Sequence, residues 1–291
     1  MPARDLSFLI LINIIWGLAI VAASESLRHF PPLEFTWLRF FFVSVLLVPC
    51  LRWQTGKMWQ IFWIAITGGT LNFALLFLGL QWAGEVSTVA IASQLGVPFA
   101  TVMSIFFLGE SVRWRRWTGI ILSFTGVMVI GFDPRVVSYL DGFLMVVASA
   151  FVGSFSSILM RQIKGVPVFE MQALISTVSW PFLLVLTLIF ESGQVEATRS
   201  ASLVQWGGIA YVALMSSLVA HAGFYWMIQR YEVSKITPLT LLSPLFTVIF
   251  GVILLGETLT WRIVIGGAIT LAGVTIISLR ERTQVREPII Q

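Results

Sequence analysis

Long apolar runs separated by short polar and charged stretches dominate the chain. Ten can be marked, at about 6–26, 33–51, 58–80, 86–108, 116–132, 139–160, 170–190, 205–228, 235–255 and 262–279. A helix needs about 20 apolar residues to cross a bilayer. The runs lack the period-2 alternation of barrel strands. The pattern therefore predicts an all-α membrane protein with ten transmembrane helices. The first run is too long for a cleaved signal, and no small-residue cleavage site precedes the second.

The basic residues orient this map. With the N-terminus in the cytoplasm, the inside segments hold Arg4, Arg52, Lys57, Arg113, Arg115, Arg116, Arg161, Lys164, Arg230, Lys235, Arg280, Arg282 and Arg286. The outside segments hold only Arg28, Arg135, Arg199 and Arg262. That bias over short loops is the positive-inside signal, and it places both termini in the cytoplasm. Trp53, Trp59, Trp82, Trp114, Trp117, Trp206, Trp226 and Trp261 stand near run ends, as an interfacial belt requires, whereas Trp16 and Trp180 lie mid-run.

Composition narrows the function classes. Of 291 residues, 57% are hydrophobic and 11% charged, against about 25% charged in soluble domains. A water-soluble enzyme is excluded, and no length remains for a second, soluble domain. The net charge of +4 is accounted for by the inside loops, so nucleic acid is not a partner. The single Cys50 allows neither an internal disulfide nor a multi-cysteine metal site. No cofactor motif or metal-ligand spacing stands out, and there is no Walker-A glycine loop. An intramembrane enzyme would need a catalytic pair or metal cluster within the runs, and none is visible.

The chain also repeats itself. Residues 85–131 lie over 232–278 at a fixed offset of 147. Glu85-Val86-Ser87 meets Glu232-Val233-Ser234, and Leu108-Gly109-Glu110 meets Leu255-Gly256-Glu257. Trp114-Arg115 meets Trp261-Arg262, and Gly119 and Gly126 meet Gly266 and Gly273. Two halves follow, 1–135 and 136–291, each with five runs. An odd number turns the second copy over in the membrane. Such inverted repeats enclose a midplane site and alternate its access.

These features together resemble the drug/metabolite transporter superfamily, specifically its ten-helix EamA-type exporters. The residues that carry the resemblance are Trp16-Gly17, Pro32 followed by Arg39, and the two Leu-Gly-Glu-(Ser/Thr) turns with Trp114 and Trp261 behind them. Within that family the chain looks most like exporters of aromatic and other neutral amino acids. The resemblance implies a bacterial inner-membrane exporter of small metabolites. It also implies a central cavity lined by the first, third and fourth helices of each half, with the fifth and tenth peripheral.

Polar side chains in hydrocarbon need a partner or a water-filled cavity. On the implied lining helices, the candidates for substrate contact are Asn13 and Trp16; Asn72, Phe73 and Phe77; Gln94 and Thr101; Ser154 and Ser157; His221 and Tyr225; Thr240 and Ser243. The competing role for each Ser and Thr is to bond its own helix or tie neighbours together. Gly96 and Pro98, with Pro238 and Pro244 in the repeat-related helix, are candidate hinges, because proline breaks the helical ladder. Arg39 reads as a structural charge near the outer end of its run, paired across helices or snorkelling. Small residues at Gly119, Ser123, Gly126, Gly266, Gly267 and Gly273 permit close helix contact, within a half or in a dimer.

All glutamates on the runs stand near run ends, so a pocket at the centre carries no counter-charge for a cation. A neutral or zwitterionic substrate, amino-acid-like, fits better. A multidrug exporter of the same fold or a channel-like facilitator is the alternative. His221 is the mid-run group whose ordinary titration range suits proton coupling, and uncoupled efflux is equally compatible.

Overall fold

The computed structural model describes residues 2–109, 113–163, 165–231 and 237–278, without the side chains of Tyr225, Ile228, Gln229, Thr237 and Pro238. Glu110, Lys164, Glu232, Val233, Ser234, Lys235 and the basic C-terminal residues fall outside it. The described elements are helical, with no strand among them. In chain order the main helices are α1 (Ala3–Leu27), α2 (Pro32–Leu46), α3 (Met58–Ala83), α4 (Val86–Leu108) and α5 (Trp114–Gly131). Then come α6 (Leu140–Gln162), α7 (Val168–Phe190), α8 (203–230), α9 (237–255) and α10 (Trp261–Ser278).

By length and composition, α1, α3, α4, α6, α7, the Leu203–Phe224 part of α8 and α10 are long and apolar enough to cross a membrane. The α2 helix has 15 residues, shorter than its run, because Pro49 follows. Proline lacks an N–H and pushes the preceding residue out of the helical region. The chain there tightens into a 3₁₀ turn at Val48–Cys50. Large apolar side chains face outward around the bundle, among them Phe106, Phe132, Phe190 and Leu203. In water such a girdle would be a liability; in lipid it is the solvated surface. Trp53, Trp59, Trp82, Trp114, Trp117, Trp226 and Trp261 are exposed. Trp206 instead packs against Phe30, with ring centroids 5.3 Å apart.

The main packing partners lie on opposite sides of residue 135. The α1 helix packs on α8 and α9, and its counterpart α6 packs on α3 and α4. The α2 helix packs on α7, and α5 on α10. The last contact uses the small residues. A side chain at Gly119 would meet the Gly273 carbonyl at 2.8 Å, and one at Gly266 would meet the Gly126 carbonyl at 2.6 Å. The small-residue faces thus serve neither contacts within a half nor a dimer; they join the two halves directly.

Local irregularities recur at the offset of 147. Residues Ala65–Leu71 of α3 and Val212–Ala220 of α8 form π-helix, and their starts differ by that offset. A π turn leaves backbone carbonyls out of register, so hydroxyls must satisfy them. In α3 the donors come from neighbouring helices, Ser156 Oγ to Ile64 O at 3.3 Å and Ser179 Oγ to Ala65 O at 3.0 Å. In α8 they come from the same helix, Ser217 Oγ to Val212 O at 3.0 Å and the His221 ring to Ser216 O at 2.6 Å. Gly109 and Gly256 end α4 and α9 with φ of 65° and 70°, a left-handed turn that favours glycine.

Candidate substrate site

The site assembles where α1, α2, α3 and α8 converge. Trp16 of α1 meets His221 of α8 edge to face at 5.3 Å, and Phe224 one turn away at the same distance. The Ser216 carbonyl accepts from the histidine, so Nδ1 carries the proton and a neutral ring leaves Nε2 as an acceptor. His221 is exposed, midway along α8. The buried Trp16 Nε1 has no hydrogen-bond partner among the described residues.

One turn before His221, Ser217 holds Arg39 of α2. The guanidinium donates from Nε at 3.2 Å and from Nη2 at 2.9 Å to Ser217 Oγ. It lies 4.2 Å from the Phe73 ring centroid, 5.3 Å from that of Phe40 and 5.8 Å from that of Phe77. Arg39 is only 4% exposed. Of the two expected roles, snorkelling does not suit a side chain this buried, whereas a partner across helices is present in Ser217. Glu25 pairs instead with Arg28 at 3.1 Å, and Glu34 accepts from Thr198 at 2.6 Å. Among the described residues no acid pairs with Arg39. A lone cation at the bilayer centre costs about 2.5–3.5 kcal/mol on insertion scales. A desolvated cation–π contact returns about 2 kcal/mol, which is why the aromatic wall around it matters. The junction therefore carries a fixed positive charge among aromatic faces.

The other candidates divide by their bonds. Asn13 is fully buried; its Nδ2 donates to Leu9 O at 2.7 Å and its Oδ1 has no partner. Phe77 is buried against Phe35 at 4.9 Å, and Phe73 stacks beside it. Asn72 is tied to α6, since Ser149 Oγ donates to its backbone O at 2.8 Å and to its Oδ1 at 2.9 Å. Ser154 donates to Gly96 O at 2.7 Å, across the break in α4. Thr101 and Ser157 donate to carbonyls one turn back, Val97 O and Gly153 O, each at 2.9 Å. Gln94, Thr240 and Ser243 are half-buried along the broken helices. The side chain of Tyr225 lies outside the described residues.

Both broken helices interrupt at matching positions. The first stretch of α4 ends at Ser93 and its second starts at Gly96, with Pro98 buried in that turn. In α9 a 3₁₀ stretch, Thr237–Leu241, gives way to α-helix at Leu242, with Pro244 buried. The backbone of Pro238 lies in the 3₁₀ stretch; its side chain is outside the described residues. At one end of the bundle the Glu257 carboxylate accepts from the Val86 and Ser87 N–H groups and from Ser87 Oγ, linking the turn after α9 to the start of α4. Among the described residues no group of three His, Cys, Asp or Glu is placed to hold a metal.

Sequence reasoning missed the pairing of Arg39 with Ser217 and the part played by Phe40. The available signal was Arg39 itself, a charge within an otherwise apolar run.

Comparison with known proteins fits this geometry. A probable amino-acid metabolite efflux pump of Salmonella typhimurium is 25% identical, over 95% of this chain and 95% of that protein. One of Escherichia coli bearing the same description is 24% identical, over 98% and 99%. An uncharacterized transporter of Archaeoglobus fulgidus is 27% identical, over 90% and 94%. A solved crystal structure of 17% identity shares the fold, with a TM-score of 0.64 over 95% of this chain and 96% of that one. The EamA-like transporter family model matches twice, at residues 5–132 and 140–279. With nearly its whole length matched, and with apolar helices suited to a bilayer, the chain belongs to the EamA-like transporter family, a family of membrane transporters rather than enzymes.

Proposed function

We propose that the protein is a secondary exporter of small zwitterionic or neutral metabolites, amino acids including aromatic ones, working by alternating access. The observation that carries this reading is the central junction. There an exposed His221 ring, an unpartnered Trp16 N–H and a positive Arg39 meet among aromatic faces. The descriptions of the Salmonella and Escherichia coli relatives support amino-acid metabolites as the cargo.

In this reading ten helices span a bacterial inner membrane, with both termini cytoplasmic and the two halves, 1–135 and 136–291, inverted. Support comes from the basic-residue bias, the double family match and the exchange-symmetric helix contacts. The π segments at the common offset add to it. The matching breaks around Gly96 and Pro98, and around Pro238 and Pro244, act as hinges. Rocking about them opens one end while the other is held shut, and the Glu257 link is such a closure. The chain works as a monomer or dimer in lipid.

The test is counterflow in proteoliposomes loaded with a panel of labelled neutral amino acids and organic cations. A carrier gives accelerated exchange of the amino acids and none of the cations. Exchange of the cations alone, or flux without trans-stimulation, overturns the reading in favour of a drug exporter or a channel.

A further inference from the structure

We propose that Arg39 is the carboxylate receptor of the transport site, so that the cargo must bear a carboxylate group. This rests on the exporter reading for what happens after binding, but not for binding itself. The argument starts from the guanidinium inventory. Arginine carries five N–H donors and cannot shed its charge to accommodate burial. Two donors, on the Nε–Nη2 edge, go to Ser217 Oγ. Ser217 is then saturated, because its single hydrogen goes to Val212 O and its lone pairs face Arg39.

The three remaining donors have no protein partner among the described residues. Two of them, one on Nη1 and one on Nη2, form the end-on edge, the parallel pair that grips a carboxylate with two hydrogen bonds. Phe73 stacks on the guanidinium and Ser217 clamps its other edge, so the free fork is held in one orientation. Preorganisation of this kind saves the ordering cost on binding. Arg135, by contrast, is exposed and its Nη1 donates to Thr258 O at 2.8 Å and to Thr258 Oγ1 at 2.7 Å.

Two further observations point to a ligand at the same place. The buried Trp16 Nε1 has no hydrogen-bond partner among the described residues, and a neutral His221 ring, donating from Nδ1 to Ser216 O, would offer Nε2 as an acceptor beside it. Ser217, which holds Arg39, stands one turn before His221 on α8, so the guanidinium and the imidazole meet the same stretch of that helix. A bound carboxylate would cancel the uncompensated charge. An amino group on the same molecule would find an acceptor at His221 Nε2. The junction thus has a cationic end and an accepting end, the polarity of an amino-acid zwitterion.

The experiment compares phenylalanine with phenylalaninamide, which lacks the carboxylate, for binding to the purified full-length protein by equilibrium dialysis. The wild-type protein should prefer the acid by about tenfold or more, since charge-assisted pairs are roughly twice as strong as neutral ones. R39Q should lose that preference while still binding the amide. R39K keeps the charge without the fork and should show a smaller preference of the same sign, a readout that survives if R39Q does not fold. No preference in the wild type, an unchanged preference in R39Q, or no preference in R39K overturns the proposal. Binding of phenylalanine without counterflow in proteoliposomes would leave the carboxylate site standing and remove the exporter reading.

Discussion

The two π segments occupy equivalent places in the duplicated sequence, yet they do different things. In α3, Ala65–Leu71 contains Gly68 and Gly69, and helices α6 and α7 press against them. Added side chains there would come within 2.2 Å of Ser156 Oγ and 2.1 Å of Ser179 Oγ. Those serines close off the displaced carbonyls. In α8, Val212–Ala220 has no glycine, and its Ser216 and Ser217 turn to Arg39 and His221. One copy became a packing joint and the other a polar junction. The same backbone irregularity thus joins neighbouring helices in one copy, and in the other it sets a serine against Arg39 and a carbonyl against the His221 ring.

The comparison can be broken most forcefully at Gly69. G69V places atoms inside Ser179 and within 3.0 Å of Ile175 Cγ2, and should cost about 2–3 kcal/mol by overpacking. A thermal melt in detergent measures it; wild-type stability would mean that packing does not hold this segment. Next comes S217A, which strips Arg39 of both its hydrogen bonds. Hydrogen bonds to charged groups are worth about 1.5–3 kcal/mol, so both the melting temperature and the phenylalanine counterflow rate should fall. Unaltered counterflow would detach the α8 segment from the site.

S179A touches only the packing joint. Its loss should be about 0.6 kcal/mol, the mean for hydrogen bonds between membrane helices, with transport unchanged; a large transport defect would show that both segments serve the site. The smallest stability effect is expected from W16F, which removes an N–H without a hydrogen-bond partner among the described residues. Its melting temperature should stay within a degree or two of wild type while efflux drops several-fold. Equal efflux would take Trp16 out of the site.

The sequence named polar groups within the apolar runs but not the partners they find. Trp16 and His221 were marked as mid-run polar groups, and they meet. Asn72 and Ser154 were marked by the same logic, but each spends its bonding capacity on another helix, Asn72 through Ser149 of α6 and Ser154 on the α4 break. A linear pattern states that a polar group needs a partner; it does not state whether a neighbouring helix already supplies one. For Arg39 the sequence left open a partner across helices or snorkelling, and its nearby acids in sequence, Glu25 and Glu34, are engaged by Arg28 and Thr198. Its actual neighbour, Ser217, is 178 residues away.

What the sequence determined by itself was the membrane class, the positions of the apolar helices and the repeat offset. Backbone bonds in a helix are local, and bilayer thickness sets helix length, so both are written in consecutive residues. Tertiary structure alone decided that the small-residue faces of α5 and α10 join the halves, that one π segment is braced by neighbouring helices while its twin meets Arg39, and that this arginine sits among aromatic rings. Those outcomes depend on which distant helices come within a few ångströms, where dispersion and charge act, and no local periodicity encodes that distance.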